Sequence, residues 1–377
     1  MANLNTSLNK SFDIIIVGAG AAGIGISILL QKLNLNYLIL EKNTVGSSFK
    51  KWPKETKFIS PSFTGNFFNA PDLNAITPDT SPAFDLLTEH PTGNEYAHYL
   101  EIVSKHFQLN IETNVDVKSI LKQNDSFRIE TNDKTYSSKY VIWAAGEYQY
   151  PKSDSFIGGH LCTHYSEVNS FDDIIGKNSV VIGAYESGFD AAINLVNSGK
   201  QVSLLDNFQY LEFIESDSSY SLSPFTRDRL KDVFENIDYN PDTRVTKVEY
   251  INAKYQVTTN DGQVITSDDE PINCTGFDTS LKLVEKLFEF EDDYPILTQC
   301  DESTKTPNLF LVGPQVRHGT ALFCFIYKYR QRFAIVAEEL AKRNNLIEED
   351  IEETLNDYKN NNFYLSDLSC CDDECIC

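Results

Sequence analysis

The stretch FDIIIVGAGAAGIGISILLQKLNLNYLILEK, residues 12–42, decides how the rest of the chain is read. A β-branched run, Ile14 to Val17, leads through Gly18, Gly20 and Gly23 into an Ala- and Leu-rich segment, and a second apolar run closes at Glu41. The pattern predicts a complete strand–turn–helix–strand unit with a dinucleotide site at its turn. Gly18 permits the tight turn, Gly20 lets the backbone approach a pyrophosphate, and Gly23 lets helix and strand pack closely. The positive end of the helix then faces the phosphates, and Glu41 stands where a carboxylate accepts from a ribose hydroxyl.

The unit recurs as NSVVIGAYESGFDAAINLVNSGKQVSLLDN, residues 178–207, with Gly183 and Gly188 as first and third glycines and Asp206 as the closing acid. First glycine and acid are 23 positions apart in both copies. Tyr185 replaces the middle glycine, so a packed unit without a ligand stays open as the alternative. Asp206 is read as accepting from a free ribose 2′-hydroxyl and repelling a 2′-phosphate, which favours a dinucleotide without that phosphate. Arg227 and Arg229 keep a folded-over phosphate site open.

Each unit is followed by three strand-like runs, VDVKSILK, SFRIETN and KTYSSKYVIWAAG after the first, VTKVEYI, KYQVTTN and QVITSDDEPINCTG after the second. They close at Gly146 and Gly276. The expected fold is α/β, with two Rossmann-like dinucleotide-binding domains, each carrying a three-stranded β-meander, the second inserted in the first. Residues 10–152 and 271–345 form the first domain, 153–270 the second, and 346–377 an acidic linker and cysteine-rich tail on a flexible arm.

The chain has 377 residues and a net charge of −23, which opposes binding to nucleic acid or anionic membranes. The polar N-terminus and the lack of a long apolar run predict a cytoplasmic protein with no membrane span. In that compartment clustered cysteines are reduced, metal-bound or redox-cycling rather than structural disulfides.

These features resemble the flavoproteins with two dinucleotide-binding domains, a group that includes thioredoxin-reductase-like enzymes and flavin-containing monooxygenases. The resemblance covers residues 12–345 and implies FAD at the first turn and NADH or NADPH at the second. TPNLFLVGP, ending with Gly313 and Pro314, matches the group's second FAD motif. VGSSFKKWPKETKFISPSF, with Gly46, Phe49 and Trp52, resembles a flavin-contacting loop, and FIGGHLCTHY resembles a linker motif with its Phe-to-His spacing two residues too long. Small bacterial oxidoreductases named for cation-resistance loci are the nearest likeness. His318 is expected beside the flavin edge, opening the long helix TALFCFIYKYRQRFAIVAEELAKR.

No CxxC or CxxxxC occurs in residues 1–369, and Cys162, Cys274, Cys300 and Cys324 are isolated, a pattern usual for buried small hydrophobes. The end of the chain, CCDDECIC, holds Cys370, Cys371, Cys375 and Cys377. LSCC resembles the C-terminal cysteine pair with which mercuric reductases pass metal to a flavin site. Cys370 and Cys371 are therefore the expected exchange pair, with Cys375 and Cys377 completing a soft-metal site. Three functions stay open: an oxygen-using, monooxygenase-like NAD(P)H:FAD oxidoreductase, a thiol or soft-metal-ion reductase with the tail as relay, and a flavin-bearing metal-binding or redox-sensing protein. The partner is a small-molecule, thiol or metal-ion substrate, and a homodimer stays open as an assembly.

Overall fold

The computed structural model describes residues 11–64, 71–215 and 217–368. The tail cysteines Cys370, Cys371, Cys375 and Cys377 lie outside these residues, and with them the expected exchange pair and metal site. Among the described residues no cluster of His, Cys, Asp and Glu is placed to hold a metal, and no helix is long and apolar enough to cross a membrane.

The opening stretch folds as strand β1 (Ser11–Val17), helix α1 (Ala21–Lys32) and strand β2 (Tyr37–Leu40). Short helices α2 (Ser47–Lys50) and α3 (Pro82–Leu86), then α4 (Gly93–His106), lead to β3 (Ile111–Glu112). The meander β4 (Val117–Gln123), β5 (Ser126–Thr131) and β6 (Thr135–Trp143) completes one sheet in the order β3-β2-β1-β6-β5-β4. Strand β6 shows two environments in its burial. From Thr135 to Lys139 it alternates exposed and buried, as an antiparallel strand with one wet face does, and from Tyr140 to Trp143 it is buried throughout, where layers cover both faces.

The second unit comprises β7 (Thr163–His164), β8 (Asn178–Ile182), α5 (Glu186–Asn197), β9 (Gln201–Leu205), α6 (Pro224–Lys231) and β10 (Ile237–Asn240). Its meander, β11 (Val245–Ile251), β12 (Lys254–Thr259) and β13 (Val264–Ser267), is a separate sheet. The break falls at Asp268–Pro271. Pro271 has no N–H for a ladder, and the Asp268 carboxylate instead accepts from the backbone N–H groups of Lys177 and Asn178 at 3.1 and 2.9 Å. Strand β14 (Ile272–Asn273) then enters the parallel sheet β10-β9-β8-β14-β7. The expected boundary at residue 271 thus falls one strand early, since β14 belongs to the second sheet.

A hairpin of β15 (Phe290–Glu291) and β16 (Tyr294–Pro295) precedes β17 (Leu309–Leu311), which pairs in parallel with β6 of the first sheet. Next come β18 (Arg317–His318), β19 (Ala321–Leu322), α7 (Ile326–Arg343) and α8 (Glu348–Asn360). Helix α1 is buried on every side from Ala21 to Leu30, as a helix between two layers must be. Gly25 makes that possible, because a Cβ there would fall 2.3 Å from the Phe333 ring of α7.

The region read as a flexible arm is anchored as far as it is described. Phe363 is fully buried, its ring lying 4.0 Å from the Arg330 guanidinium. The Leu365 backbone is held to α7, its N–H donating to the Gln331 carbonyl at 3.1 Å and its carbonyl accepting from the Arg332 side chain at Nη1, 2.5 Å away. Apolar residues at Ile351, Leu355 and Tyr358 give α8 a buried stripe at helical spacing.

Candidate active site

A cleft of about 480 Å³ runs from the first glycine turn to the start of α7. At one end lies Glu41. Its Oε2 accepts from the Ala19 N–H at 2.8 Å, and its Oε1 accepts from the Asn43 N–H at 2.8 Å and from Ser47 Oγ at 3.2 Å. A carboxylate has about four acceptor positions, so three used leave one for a hydroxyl in the cleft.

The turn itself fits a pyrophosphate. A Cβ at Gly20 would meet no heavy atom within 4 Å, so the space above this residue is empty of protein and opens on the cleft. Gly20 is also the N-cap of α1 and brings no side-chain cap, which leaves the first-turn N–H groups for a ligand. Gly18 and Gly23 answer to the protein instead: their added Cβ atoms would fall 2.5 Å from the Ala144 carbonyl oxygen and 1.9 Å from that of Gly18. Gly146 lines the cleft at φ +63°. Gly46 (φ +68°) packs against Ala97 of α4, and Gly313 (φ +108°) against Ala22 of α1, so these two shape the walls.

At the other end the wall is aromatic. Trp52 packs on Phe58 and Phe49 at ring distances of 4.9 and 5.4 Å, and Tyr148 on Phe277 at 5.0 Å. Pro314, Cys324, Phe325 and Ile326 complete it, placing the N-terminus of α7 at the cleft with no side-chain cap. Glu147 faces the same space, and burial raises its carboxyl above the ordinary range.

The first turn of α5 reaches this cleft through Glu186 and Ser187. Beside it a network along the cleft wall ties the units together. Asp190 Oδ2 accepts from Thr56 Oγ1 and from Tyr165 Oη, both at 2.7 Å, while Oδ1 pairs with Arg229 at 2.6 Å. Lys54 donates its N–H to the Asn169 carbonyl at 3.0 Å, and Glu55 accepts from Ser170 Oγ and the Phe171 N–H.

Three sequence expectations are corrected here. Asp206 does not face a ribose: it is fully buried, accepting from Tyr239 Oη at 2.8 Å and the Phe208 N–H at 3.1 Å. Arg229 is committed to Asp190, and Arg227 donates to the carbonyls of Leu211, Leu222 and Phe213. His318 neither opens α7 nor lines the cleft. Gly319 turns at φ +55° between β18 and β19, and His318 Nε2 bonds Asp301 at 2.6 Å, the buried carboxylate that also holds Arg332. The sequence reading missed Thr56, Glu147, Asp190 and Cys324. Only Cys324 carried a legible signal, its place just before the helix that follows the second FAD motif.

A family model described as pyridine nucleotide-disulphide oxidoreductase matches residues 15–313. The chain belongs to that family. It is an FAD-dependent oxidoreductase that draws on a pyridine nucleotide, and the cradle at Gly20 and the free acceptor position on Glu41 fit the flavin nucleotide. Among curated proteins it is 25% identical over 335 residues to bacilliredoxin reductase Bdr of Bacillus subtilis, covering 88% of this chain and 98% of that one. Among solved structures, bacillithiol disulfide reductase Bdr (YpdA) from Staphylococcus aureus superposes with a TM-score of 0.73 at 20% identity, covering 89% of this chain and 99% of that one. A flavin-containing monooxygenase from Stenotrophomonas maltophilia gives 0.67 at 16%, covering 89% and 100%. At these identities the two structures establish the shared fold.

Proposed function

We propose that the chain passes electrons from a nicotinamide nucleotide through FAD to the disulfide of a small thiol. The carrying observation is that the first glycine turn and the first turn of α5 open on one cleft, Gly20 and Ala21 from one side and Glu186 and Ser187 from the other. FAD, when bound, supplies the two-electron step between nicotinamide and acceptor. In this reading Glu41 and Gly20 hold its nucleotide portion, and the aromatic wall of Trp52, Phe58 and Tyr148 excludes water. The positive end of α7 at Phe325 and Ile326 favours negative charge in the cleft. The resemblance to bacilliredoxin reductase over 98% of that protein's length supports a disulfide acceptor. The division into a discontinuous flavin domain and an inserted nicotinamide domain is supported by β17, which joins the first sheet after the whole second unit.

The tail is read as an accessory thiol relay that can reach this cleft, one that turnover of a small disulfide does not require. Cys370 stands five residues beyond Leu365, a span of at most ~17 Å. Leu365 is held at Gln331, about 8 Å along α7 from its start. The test is anaerobic turnover of NADH or NADPH with bacillithiol disulfide, counting thiols released. Two thiols per nucleotide are expected. Nucleotide oxidation that needs oxygen and releases no thiol overturns the reading in favour of the monooxygenase-like one.

A further inference from the structure

Of the four cysteines among the described residues, Cys324 alone lines the cleft, and it alone is exposed. Cys274 sits behind the second glycine turn, with its carbonyl oxygen 2.7 Å from where a Cβ on Gly183 would stand. Cys162 and Cys300 line no part of the cleft. Cys324 directly precedes Phe325, the N-cap of α7. Its thiol donates to Ser219 Oγ at 3.2 Å, and the same oxygen accepts from Lys328 Nζ at 2.7 Å, Lys328 being paired with Asp217.

The second, independent observation is Glu147. It lines the same cleft, yet among the described residues no donor or cation satisfies its carboxyl, which is left facing the cavity. An enclosed carboxyl without a partner asks for a group that a ligand brings, and here a thiol shares its wall.

We propose that Cys324 is the thiol that exchanges with the substrate disulfide, with Glu147 passing the proton between the two sulfurs. The inference rests on the disulfide-reductase reading above and names the residue that performs it. Cys324 sulfur bonds to one sulfur of the disulfide as the S–S bond breaks, and the thiol proton travels by Glu147 to the departing sulfur, releasing one thiol. The mixed disulfide on Cys324 is discharged by two electrons and two protons, which reduced FAD would supply when bound; its S–S bond breaks, and the second thiol leaves with Cys324 restored. One disulfide and one reduced flavin thus give two thiols and one oxidised flavin.

The surroundings keep the thiol quiet at rest. The cleft walls desolvate the sulfur and raise its pKa, and Asp217 and Glu147 add to that, while the Ser219 bond and Lys328 oppose it. Tyr185, Tyr220 and Tyr327 also border it and stay neutral, since their own values are raised. A thiol so held is protonated near neutral pH and reacts when a proton carrier and a disulfide are both in place.

The test uses full-length holoenzyme in which Cys370, Cys371, Cys375 and Cys377 are all replaced by Ser, so that only body thiols respond. Incubation with bacillithiol disulfide and peptide mapping by mass spectrometry should place the mixed disulfide on Cys324, and NADH should discharge it. Cys324→Ser should remove that adduct and lower disulfide turnover at least 100-fold. Glu147→Gln should still form the adduct, more slowly at neutral pH than at alkaline pH. An adduct on another cysteine, or full turnover by Cys324→Ser, overturns the proposal and leaves the disulfide-reductase reading standing. Absence of thiol release by the unmodified chain overturns that reading itself.

Discussion

At Gly23 and at Gly188 an added Cβ would fall 1.9 Å from the carbonyl oxygen of the first glycine in each turn. At Gly18 and Gly183 it would fall 2.5 and 2.7 Å from the carbonyl oxygens of Ala144 and Cys274. Gly18 and Gly183 donate to Leu40 and Leu205 at 2.9 and 2.8 Å. The two turns therefore share one backbone, and they part at the positions that would touch a ligand. Gly20 faces empty space, whereas Tyr185 fills the middle position and donates to the Ser219 and Ser221 carbonyls at 3.1 Å. Glu41 lines the cleft, whereas Asp206 is sealed beneath Tyr239. First and third glycines thus answer to packing, and only the middle glycine and the acid report on binding.

Variants at those positions separate the two roles. Gly20→Val should abolish flavin retention, a loss of about 3 kcal/mol or more in affinity, with the melting temperature of the apoprotein unmoved, because its Cβ meets no protein atom. Flavin content by absorbance and melting by circular dichroism decide it, and a yellow Gly20→Val protein breaks the distinction. Glu41→Gln should weaken FAD binding about tenfold, the scale of one hydrogen bond to a charged group. Asp206→Asn should leave the ratio of flavin reduction rates with NADH and NADPH unchanged and cost about 1–2 kcal/mol of stability through its bond to Tyr239. A changed nucleotide ratio would mean that the loop over Asp206 opens when nucleotide binds.

Tyr185→Gly restores the missing glycine and should lower the KM for nucleotide a few-fold. An unchanged or higher KM would show that the Tyr185 bonds to Ser219 and Ser221 hold the nucleotide surface in shape. The smallest expected effect lies at His164, where the second unit joins the linker. Its Nδ1 accepts from the Ser166 N–H at 3.2 Å, so Nε2 carries the proton donated to the Gly276 carbonyl at 2.9 Å. Burial lowers its pKa, so the unfolded chain binds the proton more tightly. Its contribution is whole above about pH 6.5, the ordinary histidine value, and is lost as pH falls below it. Urea unfolding between pH 5 and 7.5 (about the range that brackets histidine titration) should show that slope, and His164→Gln should flatten it.

The architecture was legible because periodicity and glycine spacing are local: β1, α1 and β2, and their counterparts β8, α5 and β9, follow directly from residues 12–42 and 178–207. The ligand-facing half of the site was less so. Asp206 occupies the sequence position of Glu41, and only a partner 33 residues away, Tyr239, turns it inward. His318 read as a helix opener because nothing in QVRHGT announces that Asp301, 17 residues earlier, captures its ring. Cys324 and Glu147 come from segments far apart in the chain, and the cleft brings them to one wall.

The three residues Lys54, Glu55 and Thr56 act as a strut between two bodies. They leave the aromatic wall beside Trp52 and end on the linker and on Asp190 of α5. A strut fixes a gap, so the spacing of the two bodies across the cleft is set by the hydrogen bonds of Thr56 and Asp190 on its wall. Shortening Thr56 to Ala would act as releasing a catch does, loosening the mouth while the first glycine turn and Glu41 stay in place.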